Sequence, residues 1–378
     1  MGISRRVLLQ QIGAAAAGVA AAPAFAGAFT GRAGPFTGRA GPLRLDRNEN
    51  AYGPSSNAIA AMQDAARTAA FRYPEPDTEA LRDAIARSHQ VSSDRIVLGC
   101  GATEILRMTA DAFLGPGKTL IAAHPTFDYI GDCARRTGAR VVTVPLARDH
   151  AHDLQAMLAR TGPSTGVVFI CNPNNPTGTL TARRDLEVFI RQLPATTVVV
   201  IDEAYHHYAG DSAEYASFID RPIDDERVIV TRTFSAAYGL AGLRVGYGVA
   251  APQVARRLAA CRLPASVNVV AARAAVAALE DQPHVRQSAA RNVDDRQEFY
   301  NQCHARMLRS IDSLANFVMM NSGGPAAEVI EHFKRHNVAI GPAIAGFDKS
   351  VRISLGTSAE MAEFWRVWDL LPAHKMTM

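Results

Sequence analysis

Short apolar runs alternate with stretches of helical spacing along most of the chain. Residues 96–98, 119–121, 141–144, 167–170, 198–201 and 228–230 are rich in Val, Ile and Leu and too short for helices, which predicts buried strands. Between them, residues 104–113, 154–160 and 186–192 repeat their apolar positions every three to four residues, which predicts helices. Strand–helix alternation on this scale predicts an α/β fold: a large domain with a mostly parallel sheet wrapped by helices. In such sheets ligands bind at the carboxyl ends of the strands.

Beyond residue 266 the pattern changes. A long helical region at 267–309 leads to weaker strands at 316–320 and 351–355, with helices at 326–335 and 359–371. This predicts a smaller α+β C-terminal domain over 266–378, with an N-terminal arm and the large domain in 45–265.

The first residues read differently. Ser4-Arg5-Arg6-Val7 is a twin-arginine pattern, a short Ala/Gly-rich apolar run follows, and Ala24-Phe25-Ala26 fits a small-residue cleavage site. The apolar run is too short to span a bilayer. Residues 1–26 are therefore expected to be a Tat-type signal that exports the chain to the periplasm, with no membrane segment in the mature form. Residues 27–44 contain the duplicated heptapeptide Phe29-Thr-Gly-Arg-Ala-Gly-Pro35 and Phe36-Thr-Gly-Arg-Ala-Gly-Pro42, whose Gly and Pro density predicts a linker.

Composition narrows the function. With 378 residues, 48% hydrophobic and 20% charged, the chain has the make-up of a globular protein. The net charge of +4 is modest and its arginines are scattered, so no basic groove for nucleic acid is expected. The five cysteines, Cys100, Cys133, Cys171, Cys261 and Cys303, show no metal-ligand spacing, and one disulfide among them is possible in an exported chain.

Three segments carry the chemistry. Asn172-Pro-Asn-Asn175-Pro-Thr-Gly178 follows one strand; Asp202-Glu-Ala-Tyr205 ends another; Ser235-Ala236-Ala-Tyr238-Gly and Arg244 follow a third. Taken singly these are turns, a strand-end acid and a basic surface residue. In this order and at these gaps the chain resembles the fold-type I, class I/II aminotransferases that use pyridoxal 5'-phosphate (PLP), and within them the histidinol-phosphate aminotransferase branch. Leu45-Asp-Arg-Asn48-Glu49-Asn50-Ala-Tyr52-Gly-Pro, Arg72-Tyr73-Pro, Gly101-Ala-Thr103-Glu and Val351-Arg352-Ile-Ser strengthen the likeness, which covers about residues 43–370.

The resemblance implies roles. Asp202 pairs with the ring nitrogen of PLP so that the ring can accept electrons. Tyr205 and Asn175 bond the ring oxygen, and Phe127 stacks on the ring. The backbone of Ala102 and Thr103 seats the phosphate at a helix start, completed by Ser235 and Arg244. Tyr73 reaches the phosphate of a neighbouring subunit, which implies a homodimer. Arg352 grips the α-carboxylate of an amino acid substrate through its planar fork, with Tyr52 and Asn50 on the substrate side.

Two departures qualify this. Ala236 occupies the position of the lysine that bonds the cofactor and moves the substrate proton. An engineered lysine-to-alanine change, made to trap the cofactor in a protein whose parent is active, is the favoured reading; the alternative is a natural PLP-binding protein without transamination. In addition, Gly341 stands near where the histidinol-phosphate enzymes carry an arginine for the substrate phosphate. The expected activity is transamination between an amino acid and a 2-oxo acid, against PLP-dependent oxidation, elimination or decarboxylation.

Overall fold

The structure is a computed structural model that describes residues 41–210 and 212–372. The segment expected to be a signal, and all but the end of the linker, lie outside the described residues. Leu43 and Arg44, read from the sequence as the end of that linker, instead begin a short strand, β1 (Leu43–Leu45). It pairs in parallel with β10 (Val338–Ile340), so the chain start is tied to its C-terminal third.

Two helices follow, α1 (Ser56–Thr68) and α2 (Glu75–Ser88). Ser55 caps α1 by accepting the Ala58 N–H. The central sheet has seven strands: β2 (Ile96–Gly99), β3 (Thr119–His124), β4 (Arg140–Pro145), β5 (Thr165–Cys171), β6 (Val198–Asp202), β7 (Val228–Thr233) and β8 (Gly246–Val249). Their order is β2-β8-β7-β6-β5-β3-β4, parallel except at β8, which runs against both neighbours. Every side chain of β5 and β6 is buried, as a strand covered on both faces requires.

The covering helices are α3 (Ala102–Phe113), α4 (Tyr129–Arg136), α5 (Leu154–Leu158), α6 (Arg183–Gln192), the single turn α7 (His206–Ala209) and α8 (Pro252–Ala259). The helical region expected at 267–309 is two helices, α9 (Val269–Glu280) and α10 (Gln282–Ala305). The break falls at Asp281, whose side chain caps α10 just before Pro283.

A further apolar cluster, distinct from the two that flank the main sheet, joins Leu45 and Phe299 to the C-terminal residues Val318, Phe333, Val351, Phe364 and Trp368. It is built on the antiparallel pair β9 (Phe317–Asn321) and β11 (Ser350–Ser354) with α11 (Ala326–Arg335) and α12 (Ser358–Trp368). All five cysteines are free thiols.

Candidate active site

Strands β5, β6 and β7 end side by side. Asp202 lies opposite Cys171 on one neighbour and Thr231 on the other. Its carboxylate is 3% exposed and accepts the Thr231 hydroxyl at 2.9 Å. Burial pushes this acid up to about 6, with the Thr231 hydrogen bond pulling the other way. Among the described residues no cation contributes to that balance. The position therefore favours a positively charged, hydrogen-bonding partner.

One turn past β6, Tyr205 brings its hydroxyl to two amides, accepting from Asn48 at 3.0 Å and Asn175 at 3.4 Å. Burial raises its pKa well above that of a free phenol. Asn48 holds a left-handed backbone, φ 56°, and is fixed through Ser354 and Asn316. Sequence reasoning placed Asn48 in a motif but gave it no role. An Asn in a turn before a helix was the one available signal.

Asn175 also receives Arg352. The guanidinium donates from Nη1 to Asn175 Oδ1 at 2.6 Å and from Nη2 to the Asp46 carbonyl at 2.8 Å. Its Nε is buried and has no partner among the described residues. Arg352 packs against Gly341: a Cβ there would lie 2.7 Å from the Arg352 carbonyl oxygen, 3.1 Å from its Cβ and 3.3 Å from Nε. A larger residue at 341 would have to push the Arg352 backbone away as well as crowd its side chain.

Donor groups gather where β2, α3 and β8 meet. Gly101 turns with φ 75°, and Ala102 and Thr103 open α3. Arg244 donates to Ser235 Oγ at 3.3 Å and Thr103 Oγ1 at 3.4 Å, bridging the two segments. A Cβ on Gly101 would collide with the Arg244 guanidinium, and one on Gly246 with the Ala102 nitrogen. The close approach depends on both glycines.

The other expected site residues are placed as follows. Phe127 follows β3 in a loop tied to the Asn172–Gly178 segment by Thr126 Oγ1 donating to Asn174 Oδ1 at 2.7 Å. Asn50 donates to the Ala237 carbonyl at 3.1 Å and to Ser288 at 2.8 Å, beside position 236. Tyr52 points its hydroxyl at Asp295 of α10, 3.0 Å away. Tyr73 is 82% exposed and touches none of the others in a single chain. Ala236 is buried, 4% exposed, in the core that also holds Tyr205 and Tyr238.

These residues fit pyridoxal phosphate in all but one respect. Arg244, two hydroxyls and a helix start form a donor set suited to a phosphate dianion, and Arg244 makes no ion pair among the described residues. Asp202 suits a protonated ring nitrogen. The methyl group of Ala236 offers nothing to bond covalently.

A fold-type I arrangement with this site defines a class, and comparison with known proteins agrees. The profile of aminotransferase class I and II matches residues 40–367, and the chain belongs to that family. It is 41% identical over 329 residues to the histidinol-phosphate aminotransferase of Methylobacillus flagellatus, covering 86% of this chain and 88% of that one. The Moorella thermoacetica enzyme of the same name is 38% identical over 325 residues, covering 86% and 84%. Among solved structures, the Sinorhizobium meliloti histidinol-phosphate aminotransferase in complex with pyridoxal-5'-phosphate superposes with TM-score 0.82 at 29% identity, covering 88% of this chain and 92% of that one. The fold-type I architecture, the aminotransferase class and its cofactor, pyridoxal 5'-phosphate, are thereby shown.

Proposed function

We propose that this chain is a PLP-dependent aminotransferase framework for a free α-amino acid, silent in transamination because residue 236 has no amine. PLP, when bound, supplies an electron-accepting ring and a reactive aldehyde. Asp202 holds a proton at the ring nitrogen, Tyr205 and Asn175 bond the ring oxygen, and Phe127 covers the ring. Ala102, Thr103, Ser235 and Arg244 hold the phosphate. Arg352, kept in place by Asn175, meets the α-carboxylate.

The observation that carries this reading is the place of the lysines. Lys118 precedes β3, at the end of the sheet away from the site, and Lys334 and Lys349 are exposed around α11 and β11. Lys375 lies outside the described residues. None of the three described lysines is positioned to replace the missing base, whose loss costs about 10²–10⁴ in rate. Gly341 supplies no side chain for a substrate phosphate, so free amino acids are favoured over histidinol phosphate.

Borohydride reduction followed by peptide mapping tests the central claim. The unaltered chain should carry no pyridoxyl group on any lysine; the Ala236→Lys variant should carry it at 236 and half-transaminate amino acids. Labelling of another lysine in the unaltered chain would overturn the reading. The twin arginines support export to the periplasm, and replacing Arg5 and Arg6 by lysine should abolish it.

A further inference from the structure

A cavity of about 500 Å³ lies beside α10, and none of the cofactor or carboxylate groups described above lines it. At its floor is Arg296, only 8% exposed. Its Nη1 donates to Asn292 Oδ1 at 3.2 Å and to the Ala315 carbonyl at 3.4 Å, both long contacts. Its Nε and Nη2 donate to no protein group among the described residues, and Arg296 is part of the cavity lining. Burial lowers the pKa of its guanidinium, and the Tyr300 phenol beside it pulls the other way. Burying a guanidinium without a counter-ion is costly, so this position calls for an anion.

The rim narrows the choice. Asp149, Glu214 and Asp312 line the same cavity and are exposed. Tyr300 accepts the Ser313 N–H at 2.8 Å, which leaves its own proton free to donate. Three rim carboxylates repel a phosphate or a dicarboxylate. A single carboxylate joined to a cationic group satisfies both ends.

We propose that this cavity is a second binding site for a small amino-acid-like zwitterion, its carboxylate on Arg296 and Tyr300 and its cationic end toward the rim of Asp149, Glu214 and Asp312. Thr179 and Leu180 form part of the wall. They continue from Gly178, whose carbonyl accepts the Leu314 N–H at 2.8 Å. The occupant thus lies against the loop that carries Asn175. The site stands whether or not residue 236 silences the chain.

Calorimetric titration of the full chain with glycine betaine tests it, because betaine has no N–H to react with the cofactor aldehyde. One betaine should bind per chain, more tightly than succinate, and R352A should leave its affinity unchanged. R296Q should weaken it at least roughly tenfold, as loss of a charge-assisted contact does. Where R296Q fails to fold, D312N on the exposed rim decides, with a loss of about threefold expected. No saturable binding to the intact chain, or an affinity unmoved by the variant that folds, would overturn the proposal.

Discussion

Asp202 is a buried acid with no cation among the described residues to offset it, and this makes a measurable prediction. Its folded-state value, about 6, lies above the ordinary 3.8. Between those values the folded chain keeps a proton that the unfolded chain releases, so the contribution is fully present below about pH 4 and lost as pH rises through about 6. For the cofactor-free chain the loss is about 3 kcal/mol. A protonated ring nitrogen beside the carboxylate cancels that penalty, so PLP should raise the melting temperature more at about pH 7 than at about pH 4. Asp202→Asn should flatten the pH dependence of the free chain relative to the parent and weaken PLP binding. An unchanged pH profile in that variant would rule this account out. Arg352 gives a second test at the same scale. Its contacts hold the guanidinium in place, with Nε buried and unpartnered among the described residues. Arg352→Ala should weaken amino acid binding by roughly ten- to a hundredfold, the worth of a bidentate charge-assisted contact, as read by spectral titration of the PLP-loaded chain. These side chains were legible in the sequence because each sits in a short motif, Asp202 at the end of β6 and Arg352 within β11. Asn48 was not, since its role depends on meeting Tyr205 across 157 positions of chain.

At the scale of elements, the parallel strands were readable because a strand buried on both faces leaves an unbroken apolar run. Strand β8 escaped for the opposite reason. Its sequence Gly246-Tyr247-Gly248-Val249 has two residues without side chains, and glycine weakens any strand pattern. Packing explains why those glycines are there. A Cβ on Gly246 collides with Ala102 N at the start of α3, and one on Gly248 comes within 2.9 Å of Ile105. The strand is admitted to the sheet only because it lets α3 press close, and that same approach brings Ala102 and Thr103 beside Arg244 and Ser235. Gly246→Ala should therefore cost at least about 1–3 kcal/mol, the usual range for overpacking, and should also weaken PLP binding. Gly162→Ala is the control: nothing lies within 4 Å of its Cβ position. Thermal melts with and without cofactor read both effects. If Gly246→Ala melts and binds like the control, the close approach is not what forms the phosphate seat. The paired strands β1 and β10 were likewise invisible, three residues each and joined across most of the chain.

At the scale of the whole molecule, one expected phosphate contact is missing from a single chain. Tyr73 lies between α1 and α2 with 82% of its surface exposed, and Phe71 beside it is 71% exposed, with the Arg72 guanidinium 4.7 Å from that ring. Two large aromatic side chains two residues apart on one surface segment suit an interface better than solvent. The resemblance to aminotransferases places a tyrosine at this position on the phosphate of the neighbouring subunit, and together these observations support a homodimer with shared sites. If so, cofactor affinity and association are linked: each subunit supplies a contact to the other's phosphate, so PLP should bind less tightly once dilution separates the chains. Sedimentation should give a dimer at working concentration, and PLP titrations over a dilution series should show affinity falling as monomer appears. The two contributions can be separated. Tyr73→Phe keeps the aromatic surface and should leave the dimer intact while weakening PLP by roughly tenfold, the loss of one hydrogen bond to a charged group. Replacing Phe71 and Tyr73 together by serine should dissociate the dimer and lower cofactor affinity further. A chain that sediments as a monomer throughout, with PLP affinity independent of dilution, would show that the site is complete within one subunit.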